Sequence, residues 1–141
     1  MVDRPKGLID TGAIVAFLDR KDKWHPRCVE IFENIRLPLA TSAAILAEVF
    51  HLLGKNPRHR DAVWELFRTE SVTLLPINNE DLPDLEELMN RYQDRPMDFA
   101  DATLVHLARR ENLATVFTID HDDFETYRID GKRRFQILPA R

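Results

Sequence analysis

PMDFADATLVHLARRENLATVFTIDHDDF, residues 96–124, reads as a helix, a short turn and a buried strand that ends in acid. Met97, Phe99, Ala100, Leu104, Val105, Leu107 and Ala108 supply the helix with apolar faces, and Asp98 and Asp101 open it. Three positions apart on a helix, these two carboxylates lie on the same side, one above the other. The chain turns at Glu111-Asn112. Ala114 to Ile119 (ATVFTI) then has the β-branched, apolar make-up of a buried strand, with Asp120, Asp122 and Asp123 at its C-terminal end. Ligands of open parallel sheets collect at the C-terminal ends of strands. Carboxylates from a helix and from a strand end can therefore converge on one site.

Upstream, Gly7-Leu8-Ile9 forms a short apolar strand that closes in Asp10-Thr11-Gly12. Ala13 to Leu18 continues as a helix with Asp10 or Thr11 near its cap. Standing alone, Asp10 reads as readily as a helix cap as it does as a functional acid. After the charged loop Asp19–Lys23 comes an amphipathic helix, Trp24–Ile35. Leu37–Ala40 reads as a second strand and Thr41-Ser42 as a capping signal. The most continuously apolar helix follows, Ala43–Leu53, with Glu48 in its middle. Burying an unpaired carboxylate is expensive, so Glu48 either lies on the helix's one wet stripe, beside His51 or Lys55, or has a task.

Arg58–Glu70 reads as a helix with Ala62, Val63, Leu66 and Phe67 inward, and Val72–Ile77 as a strand meeting Pro76. Glu80–Tyr92 is a strongly acidic amphipathic helix with Leu82, Leu85, Leu88, Met89 and Tyr92 on one face. Its acids, Glu80, Asp81, Asp84, Glu86 and Glu87, read as solvated surface. Phe135–Leu138 makes a final edge strand. About five short strands alternating with helices predict an α/β sandwich with a mainly parallel sheet and right-handed connections.

A chain of 141 residues suits a single domain spanning 1–141 with a real core. Apolar residues at 44% and charged residues at 31% place it among globular proteins. A formal net charge of −4 argues against binding nucleic acid through bulk charge, though not through a divalent metal and a few local basic residues. The lone Cys28 cannot form an internal disulfide and fits a reducing cytoplasm. No apolar run approaches the ~20 residues that span a bilayer, and the polar start MVDRPKG lacks the layout of a signal peptide. With four glycines and no Gly-x-Gly-x-x-Gly, the chain offers no basis for a dinucleotide site. An aspartyl-phosphatase reading fails because Gly12 stands where a second aspartate is needed.

The acids that remain occupy similar structural points. Asp10 ends the first strand, Asp120 ends a later one, Asp101 starts the helix before it, and Glu48 lies in the helix after the second strand. Several carboxylates cannot all stay ionised in one pocket without compensation. Oxygen ligands without His or Cys select Mg2+ or Mn2+ over zinc, and such a metal supports hydrolysis at phosphorus.

In this order, LIDTGAIVAFLD, SAAILAEVFHLL, MDFADATLVHLA and VFTIDHDDF resemble the PIN-domain ribonucleases, especially the toxins of bacterial VapBC (type II) toxin–antitoxin pairs. The resemblance runs from Leu8 to about Pro139. It implies a three-layer α/β/α fold with a Rossmann-like parallel sheet, one or two Mg2+ or Mn2+ ions, and endonucleolytic cleavage of single-stranded RNA. It matches the family's acids to Asp10, Glu48, Asp101 and Asp120 as catalytic and metal-holding residues, and its hydroxyl positions to Thr11 and Thr118. Asp98 and Asp123 are candidate supporting groups, and Asp122 lies close by. Glu48 is left as either a ligand or a base. The resemblance also implies a homodimer and an antitoxin laid across the active site. An inactive PIN-like interaction module and a stand-alone RNA-processing nuclease are the alternatives.

Of the five histidines, His51 and His106 read as surface or packing residues, while His121 sits between acids where substrate could reach it. Trp24, Phe50 and Trp64 read as core first and as partner contacts second. Arg20, Lys21, Lys23, Lys55, Arg58, Arg60, Arg109 and Arg110 are the basic residues that could guide RNA phosphates.

Overall fold

Five three-residue strands carry the fold in the computed structural model, which describes residues 3–141. Met1 and Val2, at the head of the polar N-terminal stretch, lie outside the described residues. The strands are β1 (Gly7–Ile9), β2 (Leu39–Thr41), β3 (Val72–Leu74), β4 (Thr115–Phe117) and β5 (Gln136–Leu138). They form one sheet in the order β3-β2-β1-β4-β5. Every pairing is parallel, with Leu8 of β1 opposite Ala40 and Val116. β1 and β2 are buried throughout, as continuous apolar strands of a covered parallel sheet should be.

The helices are α1 (Thr11–Leu18), α2 (His25–Asn34), α3 (Ala43–Leu53), α4 (Pro57–Arg68), α5 (Leu82–Arg91), α6 (Phe99–Glu111) and α7 (His121–Thr126). Right-handed crossovers on this strand order place the connections through β1, β2 and β3 on one face and those leading to β4 and β5 on the other. The result is the three-layer α/β/α sandwich.

Local chemistry sets where the helices begin and end. Ser42 caps α3 by accepting from the Ile45 N–H, and Gly54 ends that helix at φ 68°, a region that favours glycine. Asn56 caps α4 with Pro57 in the first turn. α6 is buried almost all round, from Ala100 to Ala108, and ends on Asn112 at φ 55°. Its length and burial make it the central post of the second helical layer.

The structure corrects several expectations. Asp98 does not stack above Asp101 within the helix. It is the N-cap of α6 and accepts from the Asp101 N–H at 2.8 Å. Phe99 is 45% exposed and Leu82 is 46% exposed, so neither joins an apolar face. The strand expected over Val72–Ile77 stops at Leu74, two residues before Pro76, which has no N–H to give a ladder.

The acidic helix begins later than expected, after a 3₁₀ turn over Asn79–Asp81. Asp81 is not solvated surface but 7% exposed. It accepts from Asn78 N–H (2.7 Å), His106 Nε2–H (2.8 Å) and Arg110 (3.1 Å). The Asn78 N–H first, then His106, hold its carboxyl down at about 2. His106 is thus a buried tie between α6 and the start of α5.

Candidate active site

Asp10 leaves β1 and caps α1, which fixes both of its oxygens. Oδ1 accepts from the Thr11 N–H at 2.8 Å and Oδ2 from the Thr118 hydroxyl at 2.9 Å. Thr118 also accepts from the Asp120 N–H at 3.0 Å, so one buried hydroxyl links the ends of β1 and β4. The Thr11 hydroxyl donates to Glu48 Oε1 at 2.9 Å and draws α3 to the same point. Tyr127 OH donates to Asp101 Oδ2 at 3.0 Å. Asp120 caps α7 by accepting from the Asp123 N–H.

These acids line one open cavity of about 460 Å³. Its walls are Asp10, Thr11, Gly12, Glu48, Leu52, Asp98, Asp101, Ile119, Asp120 and Asp123. Gly12 is needed there, because a Cβ at that position would stand 2.9 Å from Ile119 Cγ1. All six of the acids expected to act or to support therefore share this wall, and no Lys, Arg or His does. Asp122 lies outside it, paired with Arg141.

Burial, with Asp120 and Glu48 nearby and against the pull of the Thr118 and Thr11 bonds, pushes Asp10 up to about 6. Burial, then Asp10 and Asp98, push Asp101 up to about 8. Asp120 is raised as well, chiefly by burial. The wall is rich in hard oxygen donors, and Arg95, which pairs with Asp123 at its edge, is the cation set against them. That chemistry fits a divalent cation. Among the described residues no three His, Cys, Asp or Glu side chains already close into a metal cage.

The direction of these shifts sets a pH dependence. An unfolded chain loses its carboxyl protons near pH 4. The folded, metal-free chain holds two of them until about 6 and about 8. Between those limits the folded state binds more protons, so its stability falls as pH rises. Asp10 alone is worth on the order of 3 kcal/mol across that window. Thermal melts in chelator should show the melting temperature falling from pH 5 to pH 8.5, with Mn2+ reversing the trend. A rising trend in chelator would mean that the acids do not repel one another.

Other expected groups lie elsewhere. His121 turns away from the cavity, is buried and donates to the Pro139 carbonyl at 2.7 Å, with Trp24 beside it. Arg20 and Lys21 line a separate groove of about 620 Å³ with Arg58 and His59. That groove is larger, but Asp19 is its only acid, and it shares no residue with the acidic cavity. Arg109 pairs with Asp84, while Arg110 pairs with Asp81 and Glu111, so both serve packing. Trp24 and Phe50 pack against the core, while Trp64 is exposed against Phe50.

Two residues near the acids carry no signal in the sequence. Tyr127 is one. The other is Arg95, whose guanidinium reaches Asp123 Oδ1 at 2.9 Å and Thr126 Oγ1 at 2.9 Å. Their partners are 26 and 28 or more residues away, beyond any local pattern.

Fold and site together define a class of small α/β proteins with an oxygen-only acidic pocket at the C-terminal edge of a parallel sheet. Residues 7–130 match the PIN domain family, and the chain belongs to it. It is similar to Ribonuclease VapC26 of Mycobacterium tuberculosis, at 27% identity over 135 residues, 94% of this chain and 99% of the relative. Its fold is similar to the crystal structure of Mycobacterium tuberculosis VapC20, described as a sarcin-ricin loop cleaving toxin. That match has a TM-score of 0.71 at 22% identity and covers 82% of this chain and 90% of the other.

Proposed function

We propose that this chain is a single PIN domain that works as an Mg2+- or Mn2+-dependent endoribonuclease on single-stranded RNA, the toxin of a type II toxin–antitoxin pair. The observation that carries the reading is the wall of six carboxylates, in which buried Asp10 and half-buried Asp101 are both raised by burial and neighbouring acids and neither has a basic partner. Membership of the PIN family and similarity to a protein named Ribonuclease VapC26 support it.

Asp10 and Asp101 would hold the cation, with Glu48 and Asp120 beside them. A divalent ion bound there would activate water and neutralise phosphoryl oxygens. Thr118 and Thr11 fix the carboxylates. Thr11 engages Glu48 Oε1, which leaves Oε2 to ligate or to take a proton from the attacking water. Asp98 is committed through one oxygen to capping α6, and Asp123 to Arg95. The site's openness suits an extended strand of RNA.

The same reading takes the chain to be a cytoplasmic homodimer with an antitoxin partner. No helix among the described residues is long and apolar enough to cross a membrane. Incubation with an unstructured RNA should give internal cleavage with Mg2+ or Mn2+, none in EDTA, and full recovery when the metal is returned. Cleavage that survives EDTA, or none with either metal, would overturn the proposal. An antitoxin reading frame just upstream separates a toxin from a stand-alone nuclease.

A further inference from the structure

We propose that Tyr127 is a positioning residue for Asp101, its phenol holding that carboxylate turned into the acidic cavity. The inference rests on the functional reading above. Asp101 stands in the first turn of α6 with Asp10 and Asp98 close enough to raise its pKa. A flexible carboxylate in that field would swing away from the other acids toward water. The Tyr127 hydroxyl opposes this by donating to Oδ2 at 3.0 Å. One oxygen is thereby committed, and the other is left for a cation.

The phenol can do this because its ring is buried and packed on two sides. Tyr127 is 1% exposed, and its ring meets Tyr92 at 5.1 Å and Phe124 at 5.3 Å, both edge to face. Phe124 meets Phe135 in the same way. The Tyr127 N–H donates to the Asp123 carbonyl at 3.0 Å, closing α7. Arg95 clamps the same helix through Asp123 and Thr126. α7 thus presents Asp120 to the cavity at its start and fixes Asp101 at its end. A short helix that has no apolar period of its own acquires a reason to be rigid.

Ligand-orienting partners of metal sites are commonly worth about 10- to 100-fold in affinity or activity. The test is Mn2+ titration by calorimetry, with steady-state RNA cleavage, for wild type, Tyr127→Phe and Tyr92→Phe. Tyr127→Phe keeps the ring cluster and removes only the hydroxyl. It should weaken Mn2+ binding on the order of 10-fold or more and lower kcat while leaving KM for RNA in place. Tyr92→Phe is the control, because its hydroxyl accepts from the Arg128 N–H and does not touch Asp101. It should leave Mn2+ affinity unchanged. Equal Mn2+ affinity in wild type and Tyr127→Phe would overturn the proposal alone. So would equal losses in the two variants, which would show that the cluster and not the phenol matters. A wild type that neither binds Mn2+ nor cleaves RNA would overturn the functional reading and this inference with it.

Discussion

Asp101→Asn and Asp10→Asn should each reduce RNA cleavage by on the order of 10³-fold and raise the melting temperature of the metal-free protein. Partners that merely orient ligands cost about 10- to 100-fold when lost, so the two residues proposed to hold the cation directly should cost more. The second half of the prediction has the opposite sign. Asp10 is buried and Asp101 half-buried among like charges, and folding forces each to ionise later than it does in the unfolded chain. A neutral amide of the same shape removes that penalty. In Asp10→Asn the amide oxygen can still accept from the Thr11 N–H, and the Thr118 hydroxyl can accept from the amide nitrogen. In Asp101→Asn the amide can face the Tyr127 hydroxyl, which accepts as well as donates. The gain should be largest above pH 8 for Asp101→Asn and should vanish below about pH 3, where the parent carboxyl is protonated in both states. Cleavage by quenched time course and melts across pH check the two halves. A folded variant that cleaves like wild type removes the residue from the site, and a lowered melting temperature at pH 8 removes it from the field of repelling acids.

Why the four acids can be read from the chain, and their neighbours cannot, follows from range. Asp10, Asp101 and Asp120 each follow or open an element whose apolar pattern is clear, and strand ends of a parallel sheet meet on one edge. Glu48 stands out because, His51 apart, every other residue of α3 is apolar. α7 has no such pattern: HDDFET holds one large apolar residue, and its helix depends on the Asp120 cap and on acids in its first turn. Asp98 reads as a second helix acid because a cap and a first-turn residue differ by one or two positions. Arg109 and Arg110 read as free for RNA, but each has a carboxylate partner from the α5 segment, a contact that only the tertiary fold creates. Phe99 reads inward by periodicity, yet as the first residue of α6 it is 45% exposed.

The buried acid that the cavity does not use should govern stability instead of cleavage. Asp81→Ala should destabilise the protein by about 3–5 kcal/mol, the cost of breaking a buried pair from one side, or roughly 10 °C in melting temperature for a chain of this size. The substitution removes the acceptor of three donors at once: the Asn78 N–H, His106 Nε2 and Arg110. His106 has no alternative, since its Nδ1 already lacks a partner in the core. Asp84→Ala, which frees the exposed Arg109, should cost less than about 1 kcal/mol. The pH dependence also runs opposite to that of the cavity acids. Asp81 is held down at about 2, so its contribution is complete above the unfolded value near 4 and is lost as pH falls through 2. The wild type should therefore lose stability on acidification below pH 4, and Asp81→Ala should flatten that limb while leaving the fall between pH 5 and 8.5 unchanged. Below its melting range, Asp81→Ala should cleave RNA at the wild-type rate, because Asp81 lines no part of the acidic cavity. Equal melting temperatures for Asp81→Ala and Asp84→Ala would mean that the network contributes no more than a surface pair. A cleavage loss in well-folded Asp81→Ala would mean that α6 transmits strain from its base to Asp101 at its other end.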